Sequence, residues 1–285
     1  MFSGKRKESM YSFWKMTPGG NPTILLKAED IPAEKRAVVA NAVMDQQHIG
    51  AEQVGYVRFE GTPRLDMMGG EFCLNATRSF ALLLAEKNLL SHDEEGMYGN
   101  VEVSGVSGEV SVRVSFHENA LPFAEACLHF TSLPEPEECP GNVTLIRVPG
   151  IAHILQTGAM PSPEALPAFC EKQRNECRVA QEEAVGHLWL DGTQTFFEEQ
   201  KAGLSPVVWV RDTGSLCRET ACGSGTLASA LFFHARYGTL RSRIVQPSGC
   251  TLSVRMEQHD SGWDVWVGGP VRMTARGETD LTGIV

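Results

Sequence analysis

Apolar residues along the chain follow two rhythms. Short runs with strand character cover Tyr11–Lys15, Pro22–Leu26, Val54–Phe59, Val143–Val148, Ala152–Gln156, Val185–Leu190 and Val207–Val210. Val101–Val114 reads as a hairpin, and further strands are expected between Ile244 and Val267. Helical spacing covers Ala33–Gln47, with Ala37, Ala40, Val43 and Met44 on one face. It recurs over Phe80–Leu90, Glu164–Arg174 and Leu227–Tyr237. Thr17-Pro18-Gly19-Gly20 marks a turn between the first two strands, and Thr131 to Pro140, polar and proline-bearing, is the candidate linker. Many strands per helix, without regular strand–helix alternation, predict an α+β protein rather than a doubly wound sheet.

The pattern also repeats. Gly20-Asn21-Pro22-Thr23-Ile24-Leu25 is echoed by Gly150-Ile151-Ala152-His153-Ile154-Leu155, an offset of 130 positions. Glu52-Gln53-Val54-Gly55-Tyr56-Val57 is echoed by Glu183-Ala184-Val185-Gly186-His187-Leu188, an offset of 131. A cysteine ahead of a helix occurs in each half, at Cys73 and Cys222. Each helix is followed by two strand-like runs closing on Ser-Val-Arg, at Ser111–Arg113 and Ser253–Arg255. Four echoes in one order predict two similar halves. The expected division is 1–135 and 136–285, with the closing segment, about 270–285, a candidate to return to the first half.

Composition narrows the functional classes. The 285 residues are 42% hydrophobic and 21% charged, with a net charge of −10 and only the short basic run Lys5-Arg6-Lys7. That balance argues against nucleic-acid binding through a phosphate-tracking surface. No apolar run reaches the ~18 residues a membrane span needs, and Ser9 to Gly20 is too polar for a signal segment. A cytoplasmic protein is expected. Eight cysteines in a chain of this size, without dense regular spacing or a CxxC pair, read as reduced thiols rather than disulfides or zinc ligands. Neither a nucleotide-binding glycine motif nor an HExxH pair occurs, nothing points to a pyridoxal phosphate lysine, and no cofactor or metal is expected.

Two of the cysteines stand apart. Gly69-Gly70-Glu71-Phe72-Cys73-Leu74-Asn75-Ala76-Thr77 and Glu219-Thr220-Ala221-Cys222-Gly223-Ser224-Gly225-Thr226 each run from a turn into a helix. A thiolate there is stabilised by unpaired backbone N–H groups and the helix dipole, which lowers its pKa. Two such thiols on opposite sides of one carbon could take a proton from one face and return it to the other, racemisation without a cofactor. The N–H groups of Asn75, Ala76, Gly223 and Ser224 are candidate donors to a substrate carboxylate. Glu219 is a candidate support for the second cysteine loop. Cys127, Cys170, Cys217 and Cys250 read as small buried hydrophobes. His153 reads equally as a cleft residue or a structural one.

These elements resemble the diaminopimelate epimerase-like superfamily of PLP-independent racemases, over nearly the whole chain. The specific element is Glu219-Thr220-Ala221-Cys222-Gly223-Ser224-Gly225. Within the superfamily the likeness is greatest to the histidine racemases of bacterial opine-metallophore synthesis. It is carried by Pro18–Leu25, Glu52–Gly55, Gly70–Cys73 with Asn75-Ala76-Thr77, Cys222–Thr226 and Gln246-Pro247-Ser248-Gly249. The resemblance implies two pseudo-symmetric domains, each a mixed or antiparallel sheet wrapped around a central helix, with one catalytic cysteine apiece. It implies a small amino-acid substrate, with histidine the favoured one, Asn21 and Gln53 at the substrate or the cysteine loops, and a homodimer as a candidate assembly. Glu52 is the candidate to recognise an imidazole N–H or the α-ammonium. The first motif departs from diaminopimelate epimerase's Cys-Gly-Asn-Gly. Ile151 and Ala184 stand where that enzyme has substrate-gripping asparagines, and Arg211 and Arg218 are out of register with its Glu-Arg pair. Apolar residues there would leave a distal carboxylate buried and unpaired, which disfavours diaminopimelate. Diaminopimelate epimerase or a broad-specificity racemase remains the alternative. A non-catalytic amino-acid-binding or thiol-redox protein on the same fold is the third reading.

Overall fold

The computed structural model describes residues 10–192 and 200–284. It forms two compact units, Met1–Ala126 with Pro270–Val285, and Cys127–Gly269.

The first unit opens with β1 (Met10–Thr17) and β2 (Thr23–Lys27). A 3-10 turn leads into α1 (Arg36–Met44), followed by β3 (Gln53–Arg58), β4 (Arg64–Met67) and α2 (Leu74–Glu86). It continues with β5 (Ser91–Asp93), β6 (Gly96–Val103) and β7 (Glu109–Ser115). The chain crosses between units inside β8 (Phe123–Phe130) rather than in the expected linker. That linker segment contains a strand, β9 (Glu137–Cys139). The second unit goes on with β10 (Val143–Val148), β11 (Ile151–Thr157), α3 (Leu166–Glu176), β12 (Ala184–Asp191), β13 (Lys201–Val210) and β14 (Ser215–Arg218). Next come α4 (Gly223–Tyr237), β15 (Arg241–Val245), β16 (Thr251–His259) and β17 (Gly262–Pro270). Finally β18 (Arg272–Asp280) pairs antiparallel with β1.

The two units share one topology. In the first, β1–β2 is antiparallel, β2–β3 parallel, β3–β4 antiparallel, β4–β6 parallel and β6–β7 antiparallel. In the second, β10–β11, β11–β12, β12–β13, β13–β15 and β15–β16 run through the same series of senses. Each sheet has an outer helix on one face and a cysteine-bearing helix on the other. Alternation along the strands sorts side chains between them. Ile24, Leu26, Val54 and Tyr56 join Val39, Ala40 and Val43 of α1, while every residue of α2 from Leu74 to Ala85 is buried. Ala37, expected on the inner face of α1, is exposed, and Val39 takes its place.

The hairpins differ. Six residues separate the last β1–β2 pair, Met16–Thr23, but only Pro149 and Gly150 separate Val148 from Ile151. The register therefore places Leu25 opposite Gly55 and His153 opposite Gly186. His153 is equivalent to Leu25, an offset of 128, and the sequence echo at 130 is out of register by two.

Candidate active site

Both cysteines occupy the residue just before a helix. Cys73 caps α2 with φ −131° and ψ 106°, and Cys222 caps α4 with φ −127° and ψ 107°. Each sulfur accepts a backbone N–H three residues on, from Ala76 at 3.4 Å and from Gly225 at 3.2 Å. Each cysteine carbonyl accepts the hydroxyl of the threonine four residues on, Thr77 at 2.9 Å and Thr226 at 2.7 Å. These are cap positions, where the first-turn N–H groups have no helical partner and an acceptor side chain is favoured. Sulfur fills that role here, and Ala76 N–H is directed at it. Gly225 is the second-unit counterpart of Ala76. A Cβ on Gly225 would stand 3.1 Å from Cys222 Sγ, so glycine gives the sulfur room.

Around the matched caps the surroundings diverge. In the first unit the first pair of β2 and β3 is Thr23–Gln53. Gln53 Oε1 lies 3.4 Å from Cys73 Sγ and 3.3 Å from Thr23 Oγ1, which is also 3.1 Å from Asn21 O. The first unit thus brings Asn21, Gln53, Cys73, Asn75 and Ala76 into one neighbourhood. Asn21 is buried with φ +47°. Glu52 stands exposed beside them, just before β3, and partial desolvation raises its carboxyl pKa. In the second unit the same register position holds Ile151 and Ala184, without side-chain hydrogen-bonding groups.

Cys222 instead meets Glu219, Ser224 and Gln246. Its sulfur is 3.5 Å from Ser224 Oγ, and its backbone N–H donates to Gln246 Oε1 at 2.9 Å. Gln246 is buried and also donates to Thr226 Oγ1 at 3.0 Å and Ile244 O at 3.1 Å. Burial pushes the Cys222 thiol well above its ordinary pKa, and the charge and hydrogen bond of Glu219 push it further, outweighing Ser224 and the Gly225 N–H. This overturns the expectation that the helix start lowers it. With Cys222 only 4% exposed, desolvation of a thiolate costs more than the helix terminus returns.

Two polar residues close to the cysteines escaped the sequence reading. Gln246 was visible only as part of a motif. Arg78, a single charge in an otherwise apolar stretch, is fully buried and donates to Pro18 O and Asn75 Oδ1, both at 2.8 Å. Conversely, His153 is wholly buried between strand neighbours rather than lining a cleft, and Cys217 is exposed on β14, not a buried hydrophobe. A groove of about 370 Å³ in the second unit is lined by Arg147, Ile151, Glu182, Glu183 and Arg211 and contains neither cysteine. Its arginines are engaged, Arg147 with Glu137 and Glu182, Arg211 with Gln181 O. Among the described residues no three His, Cys, Asp or Glu side chains are grouped to hold a metal, and no helix is long and apolar enough to cross a membrane.

The fold is shared by proteins of low sequence identity. A PhzF-family phenazine biosynthesis protein from Bacillus anthracis superposes with a TM-score of 0.63 at 11% identity, over 95% of this chain and 99% of that one. A hydroxyproline epimerase from Agrobacterium vitis gives 0.62 at 10% identity, over 97% and 94%. The chain thus shares the fold of these two proteins.

Sequence places it more narrowly. The family described as histidine racemase CntK N-terminal domain matches residues 10–279, and the chain belongs to it. A histidine racemase from Fusobacterium nucleatum subsp. nucleatum is 29% identical over 275 residues, 96% of this chain and 97% of its own length. One from Staphylococcus aureus is 26% identical over 278 residues, 93% and 96%.

Proposed function

We propose that the protein racemises histidine without a cofactor, using Cys73 and Cys222 as a two-base pair. The observation that carries this reading is the matched pair of cysteine caps in a chain of the histidine racemase family. One sulfur, as thiolate, removes the α-proton. The other, as thiol, donates a proton to the opposite face of the resulting carbanion. Each turnover inverts the carbon and exchanges the protonation states of the sulfurs, so no redox partner or cofactor is consumed. Burial and the Glu219 carboxylate favour the thiol form of Cys222, which suits it to the proton-donor role. The substrate carboxylate is bound at the helix starts by backbone N–H groups of Asn75, Gly223 and Ser224, which also favour the enolate-like charge of the transition state. Asn21, Gln53 and Glu52 hold the ammonium and the imidazole. Ile151 and Ala184 offer nothing to a distal charged head, which favours histidine over diaminopimelate.

The test is incubation of purified protein with L-histidine in heavy water. Deuterium is expected at the α-carbon together with D-histidine, and formation of D-histidine is lost in Cys73→Ser and in Cys222→Ser. A single mutant that still racemises would refute the two-base mechanism. A panel of amino acids and LL-diaminopimelate, read by chiral chromatography, tests the substrate assignment separately.

A further inference from the structure

Arg78 sits at the fifth position of α2 and is the largest fully buried side chain among the described residues. Removing a guanidinium from water costs several kcal/mol unless its donors are engaged. Its Nη2 bridges two segments, donating at 2.8 Å to Pro18 O and at 2.8 Å to Asn75 Oδ1. Pro18 begins the five-residue connection between β1 and β2. In that connection Gly19, Gly20 and Asn21 are successively at φ +86°, +140° and +47°. Three consecutive residues in that half of conformational space have little intrinsic preference for the path they take, so the path depends on outside ties. At the far end, Pro22 O accepts the Glu52 N–H at 2.8 Å, and Thr23 Oγ1 lies against Asn21 O. At the near end Arg78 supplies a tie, through Pro18 O. Its second acceptor belongs to Asn75, two residues beyond Cys73.

The second unit supplies an internal control. Five residues beyond Cys222 stands the buried, apolar Leu227, where Arg78 follows Cys73. There the hairpin is closed by Pro149 and Gly150 alone, so there is no loop to hold. The buried arginine and the long loop occur together, in the same half.

We infer that Arg78 is a positioning residue that ties the Pro18–Pro22 loop to the start of the Cys73 helix and so sets Asn21 and Asn75 for substrate. The inference builds on the racemase reading, but its structural half can be tested without it. In Arg78→Met, amide hydrogen exchange at Gly19–Asn21 rises at least tenfold. Racemisation kcat/KM for histidine falls on the order of 10²-fold, the loss expected when a substrate contact is displaced by about 1 Å. KM and kcat both change, because the loop and the cysteine helix are released together. Val39→Ala in α1, which lowers Tm through the same unit, leaves both readouts unchanged and separates positioning from stability. Should Arg78→Met not fold, Asn75→Ala removes one acceptor only and gives a smaller change in the same direction. Folded Arg78→Met with unaltered exchange at Gly19–Asn21, whatever its activity, overturns the inference. If wild-type protein fails to racemise histidine, the functional reading falls while the exchange measurement still decides the latch.

Discussion

A cysteine at a helix start is pulled two ways, and Cys222 shows which pull wins when the sulfur is out of water. The terminal N–H groups and Ser224 favour the thiolate. Desolvation and the Glu219 carboxylate favour the thiol, and together they prevail. The Glu219→Gln substitution keeps the shape and removes the charge. The Cys222 pKa then falls while burial still holds it above the ordinary thiol value. In a Cys73→Ser background, the thiolate ultraviolet absorbance lost with Cys222→Ser is expected to titrate at lower pH when Glu219 is glutamine. An unmoved midpoint would remove Glu219 from the acid–base account. The two cysteines themselves were legible in sequence, because each sits in a small-residue turn before an apolar helix. The inversion of the Cys222 pKa was not, because burial belongs to the fold and not to the local sequence. For the same reason Arg78 could not be told from a solvated helix charge.

At the scale of elements, each cysteine depends on a strand end that props the turn before it. In the first unit that prop follows β6. Ser104 Oγ donates to Glu71 O at 2.7 Å, and Gly105, at φ +76°, passes so close to Glu71 and Phe72 that a Cβ would collide with their backbone. Gly105→Ala must therefore displace the turn that delivers Cys73. We expect a loss of about 1–3 kcal/mol in denaturant unfolding, with a fall in kcat greater than that of an equally destabilised core mutant. In the second unit the prop is Gln246, just after β15. Gln246→Ala leaves the Cys222 N–H without its acceptor and Thr226 and Ile244 without their donor, at a cost of about 1–3 kcal/mol. Chemical denaturation measures that cost, and wild-type stability in this variant would show that the cap holds without the glutamine. Long apolar strands such as β10 and β12 could be read directly from their runs of apolar residues. The short strands β4, β5, β9 and β14 could not, since Arg64-Leu65-Asp66-Met67 or Glu137-Glu138-Cys139 becomes a strand only through its partner. The four-residue difference between the hairpins was equally hidden. Glycines and prolines mark both turns, but only strand register counts the residues between them.

Across the whole molecule, one topology is used twice with different interiors, and the difference predicts how the protein fails in acid. Where the first unit places Leu25 opposite Gly55, the second places His153 opposite Gly186, and the ring occupies the space a Cβ on that glycine would need. On the other face of the second sheet, His187 Nδ1 lies 2.9 Å from Gln173 Oε1, with Arg174 and His153 as its charged or titratable neighbours. Burial lowers both histidines from 6.5 to about 3, with Arg174 adding to the effect at His187. Between those values the unfolded chain binds protons that the folded chain does not, so folding stability rises with pH across this window. The stability is whole above about pH 6.5 and is lost as the pH falls toward 3, at ~1.4 kcal/mol per pH unit for each histidine. The second unit is therefore the acid-labile one. His153→Leu borrows the first unit's solution at the equivalent position and removes one of the two protonation sites. Urea unfolding at pH 7 and pH 5 should show a smaller drop in stability for this variant than for wild type, by about 2 kcal/mol over that interval. Equal drops would mean that His153 is already protonated in the folded state and that the acid sensitivity arises elsewhere.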